Sequence, residues 1–172
     1  SLKKVAFESG SAVSTIGAYA FSGAVSLTEL TIPTTMTSIG DYAFEKAESL
    51  SSVAFAEGEA ENLSFGKYVF SDCTALTSVY LPKSVTELNL GVFDGCVNIA
   101  EVKVSADNEY YKDEDGVVFT KDGTELMFFP KGKTGDENGK YVIPAGVEKI
   151  SEGAFKGMYY VKEIVVGNTV TD

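Results

Sequence analysis

The chain has 172 residues, 44% of them apolar, which is ample to bury a core and argues against a disordered segment. Lysine and arginine number 14 against 25 aspartates and glutamates, and a net charge of −11 disfavours nucleic acid and anionic membrane surfaces as partners. Histidine is absent, so the usual general base, the Ser-His and Cys-His nucleophile pairs and imidazole metal ligands are all missing.

In chain order, Leu2, Val5 and Phe7 open the sequence as apolar residues at strand spacing. A ruler then appears in the phenylalanines Phe21, Phe44, Phe70, Phe93 and Phe155, at intervals of 23, 26, 23 and 62 residues. A period in the twenties marks stacked coils. Five residues before each of these stands an apolar residue (Ile16, Ile39, Phe65, Leu88, Ile150), and six after it another (Leu27, Leu50, Leu76, Ile99, Val161). Nine and eleven after it come Leu30 and Ile32, Val53 and Phe55, Val79 and Leu81, Val102 and Val104, and Ile164 and Val166. Each coil therefore carries L-x-x-L-x-I, whose last two apolar residues share one side of a strand. Tyr141, Ile143 and Pro144 repeat the strand end of Ile32-Pro33 and Leu81-Pro82, which makes seven strands in all. At about 4.8 Å per coil they form a parallel sheet along one side of a stack roughly 30 Å long. The recurring rings are expected to stack as a ladder, and Gly17, Gly40, Gly66 and Gly153 to serve backbone bends that a side chain would obstruct.

The ruler fails between Val104 and Ile143, where 39 residues replace the usual 23. Within residues 105–140 the run GVVFTKDGTELMFFP places two apolar stretches around Lys121-Asp122-Gly123-Thr124 and predicts an inserted β-hairpin in a modified rung. No apolar run approaches the ~20 residues that span a bilayer, so no membrane insertion by this segment is expected. The sequence begins and ends within a repeat, and residues 1–172 are read as one domain cut from a longer protein.

The units IGAYAFSGAVSLTELTIP, IGDYAFEKAESLSSVAF and FGKYVFSDCTALTSVYLP resemble the BspA-like class of bacterial leucine-rich repeats. That class is marked by an I-G-x-x-A-F-x-x-C-x-x-L-x-x-I-x-I-P unit, and the likeness covers nearly the whole chain. The resemblance implies a right-handed leucine-rich-repeat solenoid, mostly β with short turns or 3-10/helical segments. It also implies a cell-surface or secreted module for binding, adhesion or host-directed interaction, with a protein or glycan ligand. A stalk or spacer that displays another domain is the alternative.

No nucleophile, base or cofactor motif emerges, so neither an enzyme nor a bound cofactor is expected. Cys73 and Cys96 occupy the same column on adjacent coils and are expected to stay reduced, since neighbours about 4.8 Å apart do not suit disulfide geometry. Asp107-Asn108-Glu109, Asp113-Glu114-Asp115-Gly116 and Asp136-Glu137-Asn138 lack the ligand alternation of a calcium loop and read as solvated turns, so no metal site is assigned. With the columns committed to the core, contact residues must lie between them. On the outward strand face these are Tyr80, Glu101 and Lys103, with Tyr80 foremost because tyrosine is enriched at binding hot spots. The inserted segment adds Tyr110, Tyr111, Phe119, Phe128 and Phe129, too many rings for a lone hairpin to bury, and those left exposed form an apolar patch.

Overall fold

The computed structural model describes residues 2–56, 58, 62–89 and 91–172. Among the described residues there are fifteen strands and no helix, so of the short turns or 3-10/helical segments implied by the family resemblance the connections are hydrogen-bonded turns. The seven predicted strands are present as β1 (Lys4–Val5), β3 (Glu29–Ile32), β5 (Ser52–Phe55), β7 (Ser78–Leu81), β9 (Glu101–Val104), β13 (Lys140–Val142) and β15 (Glu163–Val165). They are joined in parallel as β1-β3-β5, β7-β9 and β13-β15. Registers such as Leu30 opposite Val53 and Val79 opposite Val102 keep each apolar column in line, because a slip of one residue would turn the whole set to solvent.

Each coil also contains a second strand that the sequence reading registered only as an apolar column. β2 (Thr15–Ile16), β4 (Ser38–Ile39), β6 (Leu63–Phe65) and β8 (Val85–Leu88) pair in parallel, aligning Ile16, Ile39, Phe65 and Leu88; β14 (Lys149–Ile150) belongs to the last coil. The core lies between these two walls. It contains the fully buried Leu27, Leu30, Ile39, Leu50 and Phe70, and the predicted ring ladder runs through it. Phe21, Phe44, Phe70 and Phe93 stack in sequence with centroids 5.2, 5.5 and 5.9 Å apart.

The turn between the walls is bonded from coil to coil as well. Tyr19, Phe21 and Gly23 donate their N–H groups to the carbonyls of Asp41, Ala43 and Glu45, and Tyr42, Phe44 and Lys46 donate to Lys67, Val69 and Ser71. Two residues in every turn are left-handed. Two before the ring stand Tyr19, Tyr42, Tyr68, Gly91 and Gly153; two after it stand Gly23, Lys46, Asp72, Gly95 and Gly157, all with φ between 56° and 73°. Of the glycines expected at bends, only Gly153 takes such a φ. Gly40 and Gly66 answer to close stacking instead, since a Cβ would lie 2.6 Å from the Ala18 nitrogen and 2.7 Å from the Asp41 nitrogen.

The predicted hairpin is larger than expected. β10 (Tyr111–Glu114), β11 (Val117–Thr120) and β12 (Glu125–Phe128) form an antiparallel meander, and β12 pairs in parallel with β14. β10 falls in a stretch read as a solvated acidic turn. Asp115 and Gly116, with φ of 50° and 77°, link β10 directly to β11, a tight connection whose positive angles match the twist of the strands. Its β11 and β12 strands carry apolar side chains on both faces. Val118, Met127 and Phe128 pack on the first core, whereas Val117, Phe119, Leu126 and Phe129 belong to a second one with Ile143 and Val147. Two-sided burial accounts for its density of apolar residues. It also relays the ring ladder, because Phe128 lies 5.6 Å from Phe93 and Phe129 lies 5.3 Å from Phe155.

Side chains and a turn close the strand edges where the meander enters. Asn108, fully buried, donates from Nδ2 to the carbonyls of Pro82 (3.0 Å) and Val85 (2.8 Å), while its Oδ1 accepts from the N–H groups of Tyr110 and Tyr111. On β9, Val102 N–H donates to Gly116 O at 2.9 Å and Val104 N–H to Asp113 Oδ1 at 2.8 Å.

Candidate functional site

The β7-β9 pair carries the first candidate surface. Tyr80 and Lys103 are direct cross-strand partners, and Tyr80 is 52% exposed. Lys103 Nζ lies 3.7 Å from Glu101 Oε2 and 3.3 Å from Asp113 Oδ2, and Asp113 raises the lysine pKa through its hydrogen bond and charge. Tyr80, Lys103 and Glu101 thus form one exposed group on adjacent strands. The residues proposed on the insertion divide. Tyr110 is exposed, while Tyr111 and Phe119 are buried and Phe128 is half-buried against Phe93, with Phe129 fully buried. Tyr111 and Phe119 therefore face the cores that the meander separates and add nothing to an exposed patch, whereas Phe128 keeps part of its ring open to a cleft in the second wall.

The second feature is a cleft of about 330 Å³ in the second wall, where β8 gives way to β12 and β14. The tyrosines at the left-handed position lead up to it. Tyr19, Tyr42 and Tyr68 stack with centroids 4.9 and 5.1 Å apart, and the next coil has Gly91 in their place. The Tyr68 ring leans over Gly91 into the space a side chain there would occupy, so the ladder ends as one wall of the cleft. Leu88, Val118, Met127 and Phe128 supply apolar lining.

Its charged groups come from coils far apart in sequence. Asp94, just after the ring Phe93, accepts from Lys131 at Oδ1 and from Lys156 at Oδ2 (2.7 Å). Lys131 is itself buried. Burial opposes the charge of Asp94, yet the hydrogen bonds and positive charge of the two lysines outweigh it and hold its pKa below the usual value. Across the cleft Glu125 accepts from Ser151 Oγ at 2.5 Å and from Lys149 at 3.0 Å, which likewise lowers its pKa against the cost of burial. Asn89 donates to Phe65 O at 3.0 Å beside the lining. Glu152 and Lys156 stand at the exposed rim. Sequence reading missed this site because its members belong to no motif; the one visible signal is the column Tyr19, Tyr42, Tyr68 interrupted by Gly91.

Cys73 and Cys96 are unbonded and buried on adjacent coils. Their Sγ atoms donate to the carbonyls of Phe44 (3.3 Å) and Phe70 (3.0 Å), and the interaction with the Cys96 thiol, followed by burial, pushes the Cys73 thiol far above its usual pKa. Among the described residues no helix is long and apolar enough to cross a membrane.

The family described as BspA type leucine rich repeat region matches six copies over residues 1–114 and 137–172, leaving out most of the meander. Among solved structures, the pneumococcal vaccine antigen PcpA superposes with a TM-score of 0.85 and 27% identity over 95% of this chain and 39% of that one. A leucine-rich repeat protein of Eubacterium ventriosum gives 0.72 and 26% over 92% of this chain and 46% of its own. A leucine rich cell surface protein of Faecalibacterium prausnitzii shares the fold at 0.72 and 23% identity, over 90% of this chain and 45% of that one. The chain thus spans less than half the length of these solved proteins. No curated protein sequence matches it.

Proposed function

Because this chain belongs to the BspA-type leucine-rich-repeat family, a repeat module for protein interaction, we propose that it acts as a binding and adhesion module displayed outside a bacterial cell. The observation that carries this reading is the exposed group on β7-β9. Tyr80 offers a large amphipathic ring at low entropic cost, and beside it the Lys103-Glu101 pair supplies charge of both signs on a flat parallel sheet. Tyr110 adds exposed aromatic area from the neighbouring insertion. Surface display is supported by the pneumococcal relative, since a vaccine antigen is reached from outside the cell.

An array of host matrix proteins and glycans probed with the full chain tests the reading. The expected result is saturable binding to a protein partner, weakened about tenfold or more by Tyr80→Ala and less by Lys103→Ala. Binding that is indifferent to both substitutions, or no binding on the array, sinks it and favours a spacer role.

A further inference from the structure

We propose that the cleft at the end of the tyrosine ladder is a second binding site, one that takes a neutral saccharide ring. Three observations converge on this class of ligand. First, the cleft is amphipathic. Tyr68 and the apolar side chains of Leu88, Met127 and Phe128 share its lining with three carboxylates and three ammonium groups, of which Glu152 and Lys156 are exposed. A pyranose has the same division, with a face of C–H groups and a rim of hydroxyls that both donate and accept. Second, the charges cancel. Asp94, Glu125 and Glu152 are matched by Lys131, Lys149 and Lys156, with Lys131 and Lys156 both on Asp94 and Lys149 on Glu125. The lining as a whole thus has no excess of cations to select a phosphate or sulfate, whereas a hydroxyl can donate to a carboxylate and accept from a backbone N–H, or donate and accept through water held by the ion pairs. Third, the volume of about 330 Å³ lies at the small end of ligand sites, suited to one or two rings rather than a polymer surface.

An aromatic side chain of a protein partner would satisfy the lining. It would also cover the ammonium and carboxylate rim with hydrocarbon and strip water from those groups without replacing their hydrogen bonds, which is costly. The position of the ring follows from the fold. Coil after coil a tyrosine stacks on the one before it, and at the end of the ladder the Tyr68 ring leans over Gly91 and lines the cleft, so a ligand ring against Tyr68 would extend the stack.

The experiment is ligand-observed NMR with the full chain and four probes: D-galactose, N-acetyl-D-glucosamine, lactose and N,N′-diacetylchitobiose. Saturation transfer to at least one of them is expected, with a dissociation constant on the order of millimolar for so small a contact. Tyr68→Ala should weaken it about tenfold or more, and Glu152→Gln, at an exposed position that cannot endanger folding, by a smaller but measurable factor. Tyr80→Ala should leave it unchanged, which separates this site from the strand face. Absence of transfer to all four probes overturns the proposal. So does a folded Tyr68→Ala variant that binds as the parent does, or a clear preference for N-acetyl-tryptophanamide or glucose 6-phosphate over every neutral sugar.

Discussion

The phenol oxygen of Tyr111 accepts a hydrogen bond from the backbone N–H of Leu88 at 3.0 Å, and so a side chain occupies the edge of β8 where the next strand of the wall would lie. Asn108 does the same for the carbonyl of Val85. These two contacts let a continuous solenoid stop bonding, admit a meander and resume without leaving bare strand edges inside the protein. The ring of Tyr111 is otherwise packed in the core, so Tyr111→Phe removes only the acceptor. It should cost about 1–3 kcal/mol through the stranded Leu88 N–H, and Asn108→Ala, which breaks four hydrogen bonds, should cost more. Denaturant unfolding monitored by circular dichroism gives both values; equal stability of all three proteins would refute the edge-closing role.

Position along the ring ladder predicts the cost of losing a ring. Phe70 is buried and flanked by Phe44 and Phe93, whereas Phe21 is only half-buried and has one stacked neighbour. Phe70→Ala should destabilise by about 3–5 kcal/mol and Phe21→Ala by distinctly less. Thermal midpoints compared side by side decide the matter, and an unchanged midpoint for Phe70→Ala contradicts the ladder.

The left-handed residues that lack a compensating contact are targets for stabilisation. Lys46 has φ of 57° and contributes only an exposed pair with Glu45, while Gly23, Gly95 and Gly157 fill its column elsewhere. Lys46→Gly should stabilise by up to about 1 kcal/mol, as relief of the left-handed strain exceeds the added freedom of the unfolded chain. Tyr42→Gly relieves the same strain at a φ of 56° but removes two stacked neighbours, so it should give no such gain. Chemical denaturation of the two variants distinguishes the columns.

Acid should loosen the cleft. The folded pKa of Asp94 lies below its unfolded value, so the stability it contributes is present above about pH 4 and is lost as the pH falls through the folded value. Asp122 behaves alike in the β11-β12 loop, where the Thr124 N–H and the Thr120 and Thr124 hydroxyls hold it to about 2. Asp94→Asn should therefore flatten part of the decline in melting temperature between about pH 4 and 2. A slope identical to that of the parent would show that the two lysines do not hold the charge of Asp94.

Much of this protein is legible in its sequence because a solenoid repeats one local problem. Every coil must place an apolar residue at the same few positions, so Phe21, Leu27, Leu30 and Ile32 recur as columns that can be read without coordinates. The second wall was harder to see, since β2, β4 and β14 are two residues long and offer no alternation to recognise. The insertion misled for a related reason. β10 is written Tyr-Lys-Asp-Glu, a polar run that becomes a strand only because Tyr111 points into the core and β11 pairs with it.

The sequence by itself determined the period, the ring ladder, the seven strands of the first wall and the place where the repeat breaks, all of which follow from contacts between equivalent residues one coil apart. Only the tertiary structure decided which of the insertion's aromatic residues are buried, how β8 and β9 are closed, and that Asp94 meets Lys131 and Lys156 across a cleft. Those outcomes depend on pairs 37 and 62 residues apart, which no period relates and which come together only when the meander has been folded between the two cores.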